Sequence, residues 1–161
     1  MLVKHSTDEI TYKVIGMAME VHSRLGPGLR EEHYQKATEE MLSKSGLNYE
    51  AQKQIEVYLG KRLLGLLFTD LLIEGLVVVE LKALSHQMTN DEIAQVITYL
   101  KAEGAEVGLL LNYGRKYLEY KRIFPPKKIT QLSEQDLRYG IRLHPEAAKT
   151  LQRKLKSVFI R

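Results

Sequence analysis

The stretch VVVELKAL, from Val77 to Leu84, decides the reading of this chain. It has the apolar content of a buried strand, yet Glu80 and Lys82 sit inside it. Residues two apart in a strand point to the same side, so Glu80 and Lys82 project together while Val79 and Leu81 face the other way. Unpaired charges in a core strand are costly, so their face is expected to open on a cleft or to hold partners.

Working outward, Arg62 to Ile73 reads as a strand bent at Gly65, and Glu74-Gly75 as the turn into a strand from Leu76 to Ala83. If Asp70 and Glu80 flank that turn, they are cross-strand neighbours, with nine residues between them in sequence. Two carboxylates at that range repel and shift each other's pKa unless a cation lies between them. A hard divalent cation resolves the conflict, and Mg2+ is usually held by one or two carboxylates plus water and phosphate. Lys82 beside them suits orienting or deprotonating an attacking water and offsetting charge on a phosphate. The bare pattern, Asp and then Glu-x-Lys, also fits an ion pair or a solvated edge. Its apolar flanks argue for a place inside the sheet.

Before this hairpin, Ile55, Val57 and Leu59 alternate with Gln54, Glu56 and Tyr58, which reads as a strand closed by a turn at Gly60-Lys61. Two helices precede it. One runs from Thr7-Asp8-Glu9 to about Arg24, with Ile10, Val14, Met17 and Val21 as its apolar residues; the other runs from about Leu29 to Ser45, and Gly26-Pro27-Gly28 separates them. Downstream, Thr89-Asn90-Asp91-Glu92 opens a helix to about Ala102, Val107 to Asn112 is a short apolar strand, and Leu118 to Phe124 a last one. Hairpin strands followed by a helical crossover predict an α/β fold, a mixed β-sheet flanked by helices. Pro125-Pro126 marks a boundary between a domain over 1–126 and a basic C-terminal helical extension over 127–161. In the extension Pro145 starts a helix with Ala148, Leu151, Leu155, Val158 and Phe159 on one face.

A chain of 161 residues is long enough to bury a real core in one domain. It has no cysteine, which removes disulfides, thiolate zinc sites and Cys nucleophiles and fits a cytoplasmic location. The start, MLVKHSTDEI, has no apolar signal core, and Asp70, Glu74 and Glu80 cut the most apolar region well short of the roughly 20 residues of a membrane span. Residues 1–114 carry 11 Lys/Arg and 16 Asp/Glu, whereas residues 115–161 carry 13 and 4. A basic end on an acidic body suits a polyanion or an acidic partner; a solvated basic helix fits equally.

More of the chain joins the constellation. GPGLREEHY carries Gly28, Glu31 and Tyr34 in G-x-x-E-x-x-Y spacing, with Glu31 and Tyr34 on one helix face, and Gln95 and Tyr99 share a face of the later helix. With VVVELKA, VGLLLNYG and LEYKRIF following in order, residues 8 to 124 resemble the GxxExxY proteins of the PD-(D/E)XK nuclease superfamily. The resemblance implies a PD-(D/E)XK nuclease-like core of helix, three strands, helix and strand. It implies an active site in which Asp70 and Glu80 ligate Mg2+, or Mn2+ in its place, with the Leu81 carbonyl as a further ligand. Lys82 is then the catalytic lysine, Glu31 a carboxylate added from the helix, and Gln95 the glutamine after the motif strand, with Tyr34 and Tyr99 as auxiliary residues. The chain departs from the family at Thr69, where a basic or larger polar residue is more usual, and in the segment after Pro126.

The five histidines show no metal-ligand spacing, and no phosphate-binding glycine loop is present. The expected activity is Mg2+-dependent hydrolysis of DNA or RNA phosphodiester bonds by metal-activated water. Arg122, Lys127, Lys128 and Arg153 are the candidate phosphate contacts, and Arg122 fits a structural ion pair as well. The alternative is a non-catalytic nuclease-fold module that binds nucleic acid, or a protein partner or second copy through the C-terminal helix. A glycosidase with two carboxylates is disfavoured, because Lys82 has no standard role there.

Overall fold

The computed structural model describes residues 4–125. In chain order these form α1 (Thr7–Leu25), α2 (Glu31–Ser43), β1 (Tyr49–Leu59), β2 (Arg62–Ile73), β3 (Val77–Lys82), α3 (Asn90–Glu103), β4 (Val107–Asn112) and β5 (Glu119–Ile123). The extension over 127–161 lies outside the described residues.

Local chemistry sets most of these limits. The Ser6 hydroxyl accepts the Glu9 N–H and the Glu9 carboxylate accepts the Ser6 N–H, both at 3.2 Å, so α1 is capped one residue ahead of Thr7. Thr89 and Glu92 make the same reciprocal cap on α3, and Gly104 ends that helix in the left-handed region. Between β2 and β3, Glu74 and Gly75 have φ of 53° and 64°, and Leu76 N–H donates to the Ile73 carbonyl at 3.0 Å. The β-turn from Ile73 to Leu76, within a three-residue connection between the paired Ile73 and Val77, has left-handed φ at both central positions, which Gly75 adopts without a Cβ clash.

The sheet has five strands in the order β1-β2-β3-β4-β5. Only β3 and β4 are parallel, and α3 makes the crossover between them. Helices cover both faces, as the element order predicts. On one side α1 and α2 pack against Leu71, Ile73, Val77, Val79, Leu81, Leu109 and Leu111; on the other, α3 packs Val96, Tyr99 and Leu100 against Leu72, Val78 and Leu110. Each fully buried aliphatic contributes about 1.5–3 kcal/mol. Strand parity then puts Asp70 with Leu72, and Glu80 and Lys82 with Val78, on the α3 side.

The β1–β2 hairpin reaches past β3 as a two-stranded arm, with a register shift between Val57 and Tyr58 opposite Gly65, where the sequence predicts a bend. Tyr49 packs with the α1/α2 cluster, yet Ile55 and Val57 pack with the α3 cluster. These residues share a pleat face, so the arm coils between them, and Gln52, with φ of 51°, lies in that stretch.

Candidate active site

Asp70 lies where the ladder to β3 ends and the ladder to β1 is interrupted for one residue. The last described pair with β3 is Leu71 with Val79. Towards β1, Ala51 pairs with Leu71 and Lys53 with Thr69, but Gln52 between them falls out of the ladder. Side chains serve the groups left over. Glu80 Oε1 accepts the Asp70 N–H at 3.1 Å, and Gln35 Nε2 donates to the Asp70 carbonyl at 3.1 Å. Asp70 Oδ2 in turn accepts the Leu81 N–H at 2.8 Å. Asp70, Glu80 and the Leu81 peptide therefore meet at one point on adjacent strands.

The Glu80 side chain is almost fully enclosed, the residue being 2% exposed. Burial first, and then the charge of Asp70, push its carboxyl up to about 9, against the pull of the Asp70 N–H and of the Lys82 ammonium. Lys82 is half-buried on the same face, and among the described residues no ion pair holds it. Across from the strand, α3 presents Tyr99. Its hydroxyl is raised by burial and then by the Glu80 charge, and it takes a hydrogen bond from Gln95 Nε2 at 2.9 Å. Lys82 and Tyr99 thus lie near the two acids, and Gln95 joins them through its bond to Tyr99.

No third Asp, Glu, His or Cys among the described residues joins Asp70 and Glu80 in a group able to hold a metal ion. Two hard carboxylates, one of them buried against the other, still suit a cation that keeps most of its water, as Mg2+ does. Glu31 stands in the first turn of α2, exposed, and no described hydrogen bond or ion pair reaches it. Gln35, one turn further on the same helix face, makes the contact with β2. Tyr34 turns away from the acids. Its hydroxyl donates to the Gly26 carbonyl at 2.5 Å and accepts the Leu29 N–H at 3.2 Å, and its ring stacks on Tyr113 with centroids 4.6 Å apart.

Thr69 is fully buried on the opposite side of β2 from Asp70, and its hydroxyl has no described partner. Arg122 pairs in register with Leu109, which belongs to the α1/α2 side, whereas Lys121 pairs with Leu110 on the side of the acids. Lys127, Lys128 and Arg153 lie outside the described residues.

The structure adds residues that sequence reasoning passed over. Gln35 and Gln52 touch Asp70, and only the helical spacing from Glu31 hints at the first of them. Asn112, the one polar side chain of VGLLLN, holds the loop that follows Lys82.

A family model described as the PD-(D/E)XK nuclease superfamily matches residues 8–123. The chain belongs to that superfamily. Its fold, a mixed sheet between helices with an acid and a Glu-x-Lys on facing strands, is a PD-(D/E)XK nuclease fold. No curated protein matches the sequence. Among solved structures the chain is similar to SSO0001, at 16% identity over 83% of this chain and 89% of that one, with a TM-score of 0.44. It is also similar to an alkaline exonuclease, LHK-Exo from Laribacter hongkongensis, at 10% identity over 97% of this chain and 86% of that one, with a TM-score of 0.48. No described helix of this PD-(D/E)XK chain is long and apolar enough to cross a membrane.

Proposed function

We propose that the chain is a divalent-metal-dependent nuclease of the GxxExxY kind, acting on phosphodiester bonds of DNA or RNA. The observation that carries this reading is the buried Glu80 carboxylate set against Asp70 with Lys82 on the same face. Asp70 and Glu80, with the Leu81 carbonyl, would hold the cation. Mg2+, or Mn2+ in its place, supplies positive charge that offsets charge on the phosphate and acidifies water. Lys82 donates to the attacking water or to a phosphate oxygen, and its charge offsets the negative charge that builds in the transition state. Gln95 and Tyr99 hold polar groups at the mouth of the site, and Glu31 faces the substrate from α2. Lys127, Lys128 and Arg153, on the basic extension over 127–161, are assigned to the nucleic-acid backbone, with Arg122 as a contact away from the acids on the α1/α2 side.

The test is a cleavage assay on mixed DNA and RNA with Mg2+, Mn2+ or EDTA, run beside calorimetric metal titration. Cleavage should require the metal. Lys82→Ala should slow it by about 10²–10⁴-fold while metal affinity persists. Asp70→Asn should lose metal affinity as well. A protein that binds nucleic acid but cuts none of the panel would instead be the non-catalytic binding module.

A further inference from the structure

We infer that Gln35 and Gln52 are a positioning pair that fixes the Asp70 carboxylate from outside the β2–β3 hairpin; its use for cation binding rests on the nuclease reading above. The bonds close on one another. Gln35 Nε2 donates to the Asp70 carbonyl at 3.1 Å, which turns Gln35 Oε1 to accept from Gln52 Nε2 at 2.9 Å. The same Gln52 nitrogen lies 3.5 Å from Asp70 Oδ1, while Oδ2 takes the Leu81 N–H at 2.8 Å. Reversing the Gln35 amide would set two carbonyl oxygens together and two NH2 groups together, so its orientation is determined. Gln35 is 8% exposed, and a lost partner there would not be replaced freely by water.

The backbone of Gln52 is the second, independent observation. Its φ is 51°, a left-handed value that is unusual for a residue with a long side chain. Such a conformation is strained and persists only where the surroundings over-determine it. No turn or helix end calls for it, because the ladder continues on either side through Ala51 with Leu71 and Lys53 with Thr69. The register sets Gln52 directly across from Asp70. The distortion is confined to the residue facing the aspartate, and it coincides with the bond to Gln35 and the approach to Oδ1.

The pair joins α2, β1 and β2 at Asp70. Tyr34, the neighbour of Gln35, fastens the Gly26–Leu29 segment to the same helix. The G-x-x-E-x-x-Y segment therefore acts on the aspartate through Gln35. A carboxylate held in this way presents Oδ1 in a fixed direction, so less orientational freedom is lost when it binds a ligand.

Gln52→Gly separates positioning from packing, because glycine keeps the left-handed backbone without strain while the amide is deleted. The unfolding midpoint should change little, because release of the backbone strain offsets the lost partner of Gln35. Affinity for Mn2+, titrated calorimetrically without nucleic acid, should fall about tenfold, as for other outer partners of metal ligands. Hydrogen exchange at the Leu81 amide should accelerate relative to Val79, because its acceptor is no longer held. Gln35→Met, of similar length without the amide, should repeat both changes. Folded variants that keep wild-type Mn2+ affinity and wild-type Leu81 protection overturn the inference. A wild type that binds no Mn2+, with Leu81 protection still lost in Gln52→Gly, overturns the cation-site reading and supports the positioning.

Discussion

Two buried polar assemblies lie on neighbouring strands, and they are built on opposite plans. One is the meeting of Asp70 and Glu80. The other is centred on Asn112, whose strand position pairs with Lys82. Asn112 Oδ1 accepts the Leu84 and Gly114 N–H groups at 2.8 and 3.1 Å, and Nδ2 donates to the His86 carbonyl and to Glu119 Oε1, both at 3.2 Å. Every bond this amide can make is made. Glu119 also accepts the Met88 N–H at 3.0 Å, so the loop from Lys82 to α3 is tied down along its length. The acid pair, in contrast, sets two carboxyl groups against each other, and the conflict shows as a Glu80 carboxyl raised to about 9. Similar burial therefore has different meanings. A closed network holds structure, whereas two carboxyl groups set against each other form the contact that, on the proposed reading, an outside cation would complete.

The sharpest way to break the comparison is Asn112→Ala. It leaves the Leu84 and Gly114 N–H groups and the His86 carbonyl without their partner. The exposed His86 carbonyl can turn to water, so at about 1–3 kcal/mol for each of the two half-buried N–H groups the loss should total about 2–6 kcal/mol in urea unfolding. The loop has little slack to compensate, since a Cβ on Gly114 would lie 2.3 Å from the Leu84 carbonyl oxygen. Metal affinity should survive in whatever fraction folds, because Asp70 and Glu80 make none of these bonds. A loss under about 1 kcal/mol would mean that the Asn112 network is not what fixes the loop.

The sequence announced the acid pair and was nearly silent on what surrounds it. The limits of β2 were legible because Gly60-Lys61 and Glu74-Gly75 bracket an apolar run, and that turn sets the register that brings Asp70 beside Glu80. The second half of β1 was legible from its alternation. Its first half was not, because Tyr49 to Gln54 is largely exposed and has no alternation to read. α2 begins at Glu31, two residues later than its apolar pattern suggests, since Tyr34 holds the Gly26–Leu29 segment in place before the helix starts. Gln52 carried no signal, and Gln35 only its helical spacing from Glu31. Glutamine is common on surfaces, and their roles exist only once three elements meet at Asp70.

Glu80→Gln tests the other half of the comparison. Between the ordinary carboxyl value of 4.5 and about 9, the metal-free native state keeps a proton on Glu80 that the unfolded chain has released. This group's contribution to stability is therefore most favourable below 4.5 and declines as pH rises through that window, by up to about 1.4 kcal/mol per pH unit. Glutamine keeps an acceptor for the Asp70 N–H and removes the charge conflict, so the variant should lack this slope and exceed the wild type in metal-free stability near neutral pH. Adding Mg2+ should raise the wild-type midpoint and leave the variant where it was. Parallel stability curves for the two proteins from mildly acidic to mildly alkaline pH would show that the acid pair is as settled as the Asn112 network.

The smallest effect is expected at Tyr34, and it decides to which of the two assemblies the motif tyrosine belongs. Tyr34 is fully buried, makes two hydrogen bonds to the Gly26–Leu29 segment and stacks on Tyr113, whose own hydroxyl meets Thr38 at 2.9 Å. These contacts resemble the closed network and not the acid pair. Tyr34→Phe keeps the stacking and deletes the two bonds, so it should cost about 1–2 kcal/mol of stability. Its effect on Mn2+ affinity should be smaller than that of Gln35→Met, because the link from α2 to Asp70 runs through Gln35. If Tyr34→Phe instead abolished metal binding while the fold held, the tyrosine would belong with the acids, and the division between the closed network and the open site would have to be redrawn.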